Sequence, residues 1–327
     1  MKRDFLKPIV KRCAWALLAG VMVINSVILG DERDESSESR SIGGAAAVTG
    51  QAEGVDYSAI LYDESNGLPT SDANTVYATS DGFIWIGGYS GLIRYDGTNF
   101  SRHSSSGGVA NVNALYEDHL GRIWVGTNDN GVVMLEKGHS MHFTYADGLT
   151  SSTIRTISED GLGNVYMGTT QGICYIDSEM KMHRLHDIRI SNAYIIRLIT
   201  DANGNVYGCA RTGACFRIRD GKVNAYFSGS DLGIGDITDI YTKPDSSDKV
   251  YLGTSHGLFC EGSFERRFAD LRKWRVRDAD NPENRIDTSI NWITYAADRF
   301  WVLSDDKVTY LVDRVTGTTR CGIWQTC

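Results

Sequence analysis

Two pairs of histidines share a spacing that could serve metal binding. They occur in HSMH at 139–142 and HRLH at 183–186, where the second histidine comes three positions after the first (i, i+3). On a helix this spacing places both rings on one face, where they could ligate a metal ion. Both pairs lie in predicted strands, in which residues i and i+3 point to opposite faces. We therefore predict no metal site.

Carboxylates cluster in short turns that could hold an acid and a base. Glu159, Asp160 and Asp201 lie between predicted strands, and we expect a solvated turn rather than a catalytic pair. The chain has no nucleophile–histidine–acid order, phosphate-binding glycine loop or Cys-x-x-Cys. The sequence predicts no enzyme activity and no cofactor.

Two pairs of cysteines have a spacing compatible with cross-strand disulfides. Cys209 and Cys215 flank the turn ARTGA; a three-residue loop would place them directly opposite, whereas a two-residue loop would misalign them. Cys321 and Cys327 have the same spacing. For both pairs, a disulfide formed in an oxidising compartment and free thiols stay open as alternatives. Cys174 occupies the place of Cys215 in the preceding repeat, and we expect it to pack as a small apolar residue.

Most of these residues lie in a repeated segment of about forty residues, of which the chain contains six copies. DGFIWIGGYSGLIRYDG (81–97) returns at 121–138, 163–179, 204–221 and 248–263, and in a degraded form at 298–313. Each copy has one large aromatic in the middle of an apolar run. We expect these aromatics to form the core between repeats rather than a stacking surface for a ligand: Trp85, Trp124, Tyr166, Tyr207, Tyr251 and Trp301.

Each copy is predicted to form four antiparallel strands. An alternating run such as ANTVYATS marks a strand with one buried face, and an Asp-Gly turn then leads to the aromatic strand. A second glycine turn leads to a third strand such as LIRYD, and a weaker fourth follows. Four strands in forty residues is the pattern of one propeller blade. The predicted fold class is all-β, a β-propeller of about six four-stranded blades after an N-terminal transmembrane helix.

Closure of the ring is predicted from a strand that precedes the repeats. YSAILY (57–62) reads as a fourth strand without a blade of its own, and we expect it to complete the last blade and so remove an open edge. Only six sets of inner strands follow it. An incomplete seven-bladed ring and a six-bladed ring are the alternatives.

The N-terminal region has the charge order of an exported protein. Basic residues at 1–12 precede an uncharged apolar segment at 13–30, and an acidic and then Gly/Ala-rich stretch follows at 31–55. We predict a cytoplasmic end, a signal anchor that spans the membrane once, a flexible spacer, and a propeller over 56–327 on the extracytoplasmic side. A cleaved signal is the alternative. The net charge of −8 makes nucleic acid a poor partner.

The turns between the second and third strands carry side chains that differ from copy to copy. In a propeller these turns surround the mouth of the central funnel, together with the loops that lead into each blade. A repeated scaffold with variable side chains is typical of a ligand-binding face. The predicted ligand-binding residues are Tyr89, Asn128, Asp129, Asn130, Gln171, Arg211 and His256.

GLPTSDANTVYATSDGFIWIGGYSGLIRYDG, with its later echoes, closely resembles the two-component-regulator propeller repeat. The resemblance extends over about 57–313. It implies the exported sensor part of a one-pass membrane receptor whose output domain is a histidine kinase or a diguanylate cyclase. The chain would then be an N-terminal portion without that output domain.

The partners that the resemblance implies are a small-molecule or oligosaccharide ligand and a second copy in a receptor homodimer. Two other functions stay open on the sequence. One is a propeller enzyme acting on polysaccharide, such as a lyase or glycosidase, and the other is a protein-binding scaffold.

Overall fold

The computed structural model describes ten stretches of the chain: residues 21–23, 47–52, 55–70, 72–103, 109–243, 245–276, 287–296, 299–305, 308–312 and 321–324. Almost all of this structure is β. Two short 3₁₀ helices, Glu64–Asn66 and Tyr145–Asp147, interrupt the strands. Within these stretches no helix is long and apolar enough to cross a bilayer.

Six four-stranded antiparallel sheets follow one another along the chain, each built from four consecutive strands. They are the predicted blades. Blade 1 contains β4 (Thr75–Ala78), β5 (Ile84–Gly88), β6 (Gly91–Tyr95) and β7 (Phe100–Arg102). Blade 2 contains β8 (Val112–Glu117), β9 (Ile123–Thr127), β10 (Val132–Glu136) and β11 (His139–Phe143). Blade 3 contains β12 (Ile154–Glu159), β13 (Val165–Thr169), β14 (Gly172–Ile176) and β15 (Met182–Arg184).

The later blades repeat this order. Blade 4 contains β16 (Ile195–Thr200), β17 (Val206–Ala210), β18 (Ala214–Arg219) and β19 (Lys222–Ser228). Blade 5 contains β20 (Ile237–Tyr241), β21 (Lys249–Thr254), β22 (Leu258–Ser263) and β23 (Arg272–Arg275). Blade 6 contains β24 (Ile290–Ala296), β25 (Arg299–Ser304), β26 (Val308–Val312) and β27 (Cys321–Trp324). The first strand of each blade is the innermost one, because first strands of consecutive blades contact each other: β4 and β8, β8 and β12, and so on to β24.

A seventh, three-stranded sheet precedes the blades and corrects one prediction. β3 (Val55–Leu61) lies between β1 (Val21–Val23) and β2 (Ala47–Ala52). YSAILY therefore does not complete the last blade, as we expected from the sequence. The fourth strand of blade 6 is β27, which pairs with the preceding strand β26. Pairing with a strand nearby in the sequence closes a short loop, whereas pairing with YSAILY would close a loop of most of the chain.

The predicted N-terminal segments lie largely outside the described residues. Of the anchor at 13–30 only Val21–Val23 is described, as strand β1. Part of the predicted spacer at 31–55 is strand, because Ala47–Ala52 pairs with β3 in an antiparallel register.

The six blade aromatics are all buried, with between 0% and 7% of their surface exposed. In blades 2 to 4 the polar atom of the aromatic is hydrogen-bonded to an aspartate six residues earlier. Trp124 Nε1 donates to Asp118 Oδ2 at 2.7 Å, Tyr166 OH to Asp160 Oδ2 at 3.1 Å, and Tyr207 OH to Asp201 Oδ2 at 3.0 Å. In these three blades the polar atom of the buried aromatic is thus satisfied by its own blade.

The turn carboxylates are therefore not the solvated groups that the sequence suggested. Asp201 is 6% exposed and Glu159 is 7% exposed. Burial alone would raise the pKa of Asp201, but hydrogen bonds from Asn205, the Asp248 backbone and Tyr207 outweigh it and lower that pKa. Glu159 accepts the backbone N–H of His119, in the preceding blade, at 2.9 Å. The turns are covered because each carboxylate organises its own loop or joins two blades.

A glycine two residues after the aromatic sets the distance between blades. A Cβ added at Gly126 would lie 2.6 Å from Ile154 Cγ2, and one at Gly168 would lie 2.7 Å from Ile195 Cγ2. Ile154 and Ile195 begin the innermost strands of the following blades and are fully buried. The glycine thus leaves space for an apolar side chain of the next blade.

Candidate ligand-binding face

The turns between the second and third strands lie against the loops that lead into the blades. In five blades a turn backbone N–H donates to a carbonyl in the loop just before the first strand of the same blade. The pairs are Asn128 with Asn111 at 2.9 Å, Thr170 with Thr153 at 3.4 Å, Arg211 with Tyr194 at 2.8 Å, Ser255 with Asp236 at 2.9 Å, and Asp305 with Ser289 at 3.2 Å. We call the surface formed by these turns and loops the top face.

The predicted ligand-binding residues of blades 1 and 2 lie on the top face, but they differ in how their side chains are hydrogen-bonded. Tyr89 is 63% exposed. Asn128 and Asp129 are exposed, but Asn113 Nδ2 donates to Asn128 Oδ1 at 3.2 Å and Asn111 Nδ2 donates to Asp129 Oδ2 at 2.9 Å.

The backbone of blade 2's turn is also held in place. The Asn130 N–H donates to Thr127 Oγ1 at 2.9 Å, and the Asn130 carbonyl is within hydrogen-bond reach of His142 Nε2. The blade 2 turn is therefore a pre-ordered polar surface.

Gln171 and His256 are exposed at the tips of their turns. The Gln171 backbone N–H donates to Thr169 Oγ1 at 2.9 Å, which leaves its side-chain amide facing outward from an ordered turn. His256 Nδ1 lies 2.8 Å from Ser255 Oγ.

Arg211 belongs to a cluster that the sequence did not reveal. Its guanidinium carbon lies 5.1 Å from the centroid of the half-buried Tyr194 ring, and that of Arg155 lies 5.6 Å from the same centroid. Arg155 and Arg211 are both exposed and come from adjacent blades. Two cations beside one phenol ring form a positively charged, partly aromatic surface suited to an anionic group.

Arg155 was missed because its direction depends on a β-bulge. The pairing of β12 with β13 shifts between Ile154 and Thr156, so Arg155 is the extra residue. Blades 2, 4, 5 and 6 have the same shift, at Asn113, Ile196, Thr238 and Asn291. The one available signal is that this position also varies between copies.

Of the two alternatives for Cys209 and Cys215, the structure has the aligned register, but the two thiols are not bonded. Cys209 and Cys215 are directly opposite, because the loop has three residues. Both are free, fully buried thiols, and burial raises the pKa of each. For the other pair, Cys321 lies in β27 and Cys327 lies outside the described residues.

Three of the four paired histidines lie in outer strands, and His186 follows the end of β15 by two positions. His139 and His142 are in β11, and His183 is in β15, where its Nε2 lies 2.6 Å from Asp177 Oδ2. Across the described stretches, no three histidine, cysteine or acidic side chains are close enough to hold a metal ion.

Comparison with known proteins identifies the repeat and finds solved structures with a similar fold. The family model described as "Two component regulator propeller" matches residues 106–129. No curated protein sequence matches the chain. The chain therefore carries the repeat that its sequence resembles, and solved structures extend the likeness to the fold.

Three solved propellers illustrate the likeness. The extracellular domain of a hybrid two component system from B. thetaiotaomicron has a TM-score of 0.61 and 17% identity, over 76% of this chain and 34% of that one. A second such domain from the same organism has a TM-score of 0.53 and 19% identity, over 74% of this chain and 33% of that one. Virginiamycin B lyase from Staphylococcus aureus has a TM-score of 0.62 and 13% identity, over 78% of this chain and 84% of that one. The chain thus spans about a third of the length of the two receptor domains.

Proposed function

We propose that this propeller is the extracytoplasmic, ligand-sensing domain of a membrane-anchored signalling receptor. Two observations support the general role: the match to the two component regulator propeller repeat and the likeness of the fold to extracellular domains of hybrid two component systems. In this proposal the receptor is anchored in the membrane, and a second copy completes a receptor homodimer. An output domain of the histidine kinase or diguanylate cyclase type would carry the signal.

The observation that carries ligand sensing is the cluster of Arg155, Tyr194 and Arg211 on the top face. Its side chains come from the leading loop, bulge and turn of two adjacent blades. Guanidinium groups form charge-assisted, often bidentate hydrogen bonds with carboxylates and sulfates. We therefore assign to this face a small-molecule or oligosaccharide ligand that carries such an anionic group.

Bound ligand would act on signalling through its preference for one receptor state. A ligand shifts a conformational or oligomeric equilibrium only by the difference in its affinity for the two states. Arg155 and Arg211 belong to blades 3 and 4, so an anion held by both arginines would favour one relative position of these two blades.

Calorimetric titration of the full chain tests the proposal. Trigalacturonate serves as the anionic probe and maltotriose as its neutral counterpart. We expect trigalacturonate to bind and maltotriose to bind more weakly. Arg155→Ala and Arg211→Ala should each reduce affinity for trigalacturonate about tenfold. The matched control is Arg219→Ala, because Arg219 lies on blade 4 and binds Glu265 at 3.0 Å.

The outcomes separate the three functions that the fold allows. Binding without turnover that depends on Arg155 and Arg211 supports the sensor. Formation of shorter or unsaturated products would replace it with a polysaccharide-degrading enzyme. If neither saccharide binds, or if both arginine variants bind as well as the parent chain, the proposed ligand face is wrong and the scaffold function gains support.

A further inference from the structure

One position of the innermost strands divides the blades into two groups. The second strand of each blade has a residue two positions after the blade aromatic, and one residue of the innermost strand pairs directly with it. That residue of the innermost strand is the position that differs between the two groups of blades. In blades 1 to 3 this residue is small: Thr75, Ala114 and Thr156. In blades 4 to 6 it is large or charged: Arg197, Asp239 and Trp292. At this one position of the innermost strand, three consecutive blades therefore depart from the small residue of the other three.

These three side chains form a single buried cluster across blades 4, 5 and 6. Arg197 Nη1 donates to Asp239 Oδ2 at 2.7 Å and to the Ile293 carbonyl at 3.0 Å. The Ile293 N–H donates to the same Asp239 oxygen at 2.6 Å. The Arg197 guanidinium carbon lies 3.9 Å from the centroid of the Trp292 ring. Arg197 is 4% exposed and Asp239 is 1% exposed.

Each of the three residues keeps one buried polar atom without a hydrogen bond to the described residues. These atoms are Arg197 Nη2, Asp239 Oδ1 and Trp292 Nε1. An unsatisfied buried donor or acceptor costs about 1–3 kcal/mol. Three such atoms in one cluster, at a position where the other blades have small residues, are poorly explained by a purely structural role.

The hydrogen-bonding roles of the three atoms indicate which kind of ligand would satisfy them. Two are N–H donors and one is a carboxylate acceptor, while the ion pair itself is neutral. A carboxylate ligand would face Asp239 Oδ1, and an ammonium ligand would face Arg197, so either charge meets repulsion. A hydroxyl group accepts from N–H donors and donates its proton to a carboxylate. Trp292 is half-buried, so part of its ring reaches the surface while its Nε1 stays buried beside the ion pair.

We propose that Arg197, Asp239 and Trp292 form a binding site for a neutral, hydroxyl-bearing solute such as a monosaccharide or small polyol. The site is separate from the top-face cluster: Arg197, Asp239 and Trp292 each follow the bulge residue of their strand, whereas Arg155 is itself a bulge residue. The hydrogen bonds and ring contacts described for the two clusters share no residue. It does not depend on the proposed anionic ligand or on a receptor function.

Titration of the full chain with D-glucose, D-xylose and glycerol tests this site, followed by calorimetry and by tryptophan fluorescence. At least one probe should bind saturably, and Trp292→Phe should remove the fluorescence response. Asp239→Asn should weaken binding at least about tenfold. The matched control is Asp201→Asn, which also alters a buried aspartate but one whose oxygens accept from Asn205 and Tyr207. It should bind the probe like the parent chain.

A second variant separates loss of the site from loss of the fold. Replacing a buried ion pair by apolar residues of similar volume is often neutral or stabilising. Arg197→Met/Asp239→Leu removes the unpaired Arg197 Nη2 and Asp239 Oδ1, but it also removes these partners of the Ile293 N–H and carbonyl. The double variant should therefore unfold at a temperature close to that of the parent chain, and it should not bind the probe.

Three results would overturn the proposal: no saturable binding of any probe, unchanged binding in Asp239→Asn and in the double variant, or loss of binding in Arg155→Ala/Arg211→Ala. Loss of binding in Arg155→Ala/Arg211→Ala would mean that the neutral solute binds at the top face. Retained probe binding in that variant, together with lost trigalacturonate binding, would leave both sites standing independently.

Discussion

At the scale of single residues, the most informative pair is the blade aromatic and the residue six positions before it. In blades 2, 3 and 4 that residue is an aspartate bonded to the aromatic. In blade 1 it is Thr79, and Trp85 Nε1 is buried without a hydrogen bond to the described residues. The turn backbone is the same in both cases, since the Thr79 and Asp118 N–H groups each donate to the carbonyl four residues on. Blade 1 therefore has the same turn backbone as blade 2 but lacks the aspartate.

This comparison predicts a stabilising change in blade 1. Thr79→Asp should supply the acceptor for Trp85 Nε1 and raise the free energy of unfolding by about 1 kcal/mol. It must be combined with Asp81→Leu, because the Asp81 carboxylate, now bonded to Thr79 Oγ1 at 2.6 Å, would repel the new one. Leucine is the residue at this place in blades 2 and 3, where Leu120 and Leu162 are 62% and 70% exposed. Urea unfolding of the double variant measures the effect.

Asp81→Leu alone is the control for that measurement. A double variant no more stable than this control would show that Trp85 Nε1 gains nothing from the carboxylate. The sequence contained the aspartates, but their burial was not predictable from it. A turn residue appears solvated until the aromatic of its own hairpin and the turn of the neighbouring blade are known to cover it.

At the scale of strands and turns, the spacing between blades depends on the glycine after the aromatic. Gly126→Ala should destabilise the protein by about 1–3 kcal/mol, because the added methyl group overlaps Ile154 of blade 3. Ile154→Ala alone should cost about 2–5 kcal/mol through the cavity that it leaves. The double variant should be less destabilised than the sum of the two, because each change relieves the other. Urea unfolding of the four proteins in the cycle measures this coupling.

Additive effects in that cycle would mean that the two blades do not meet at Gly126. A second cycle with Gly168 and Ile195, one blade further on, repeats the same contact and serves as an independent check.

The strands themselves were predictable because the alternation returns in six copies and a glycine turn between the second and third strands returns in five of them. Two features of the elements were not. The bulge that directs Arg155 depends on pairing with β13, which no local pattern specifies. The pairing of YSAILY was predicted from the need to close an edge, yet its strand pairs with β1 and β2, and blade 6 takes its fourth strand from residues 321–324. Local periodicity predicts where strands lie, but not which edge each one covers.

At the scale of the whole molecule, blades 4, 5 and 6 are joined by a buried ion pair that the small residues at the same position of blades 1 to 3 cannot form. Arg197 of blade 4 reaches past blade 5 to the Ile293 carbonyl of blade 6, and Asp239 of blade 5 lies between them. One ion pair thus links three blades, and the stability of this half of the propeller should follow the ionisation of Asp239.

The pH dependence of this link has a definite sign. Burial raises the pKa of Asp239 to about 6 from its ordinary value, although the Arg197 charge opposes the change. The folded state therefore holds more protons than the unfolded state between about pH 4 and pH 6, and stability falls as the pH rises through this window. A change of about two pKa units corresponds to roughly 3 kcal/mol.

Asp239→Asn removes this titration and isolates its contribution. Urea unfolding of the parent chain and of the variant, at half-unit steps from pH 4 to pH 7, gives the difference in their unfolding free energies. Other groups titrate in both proteins and cancel in that difference, so we expect the parent chain to lose stability relative to the variant as the pH rises, with the difference levelling off above about pH 6. Parallel curves would mean that Asp239 ionises alike in the folded and unfolded chain. A relative gain by the parent chain would mean that Arg197 lowers the Asp239 pKa more than burial raises it.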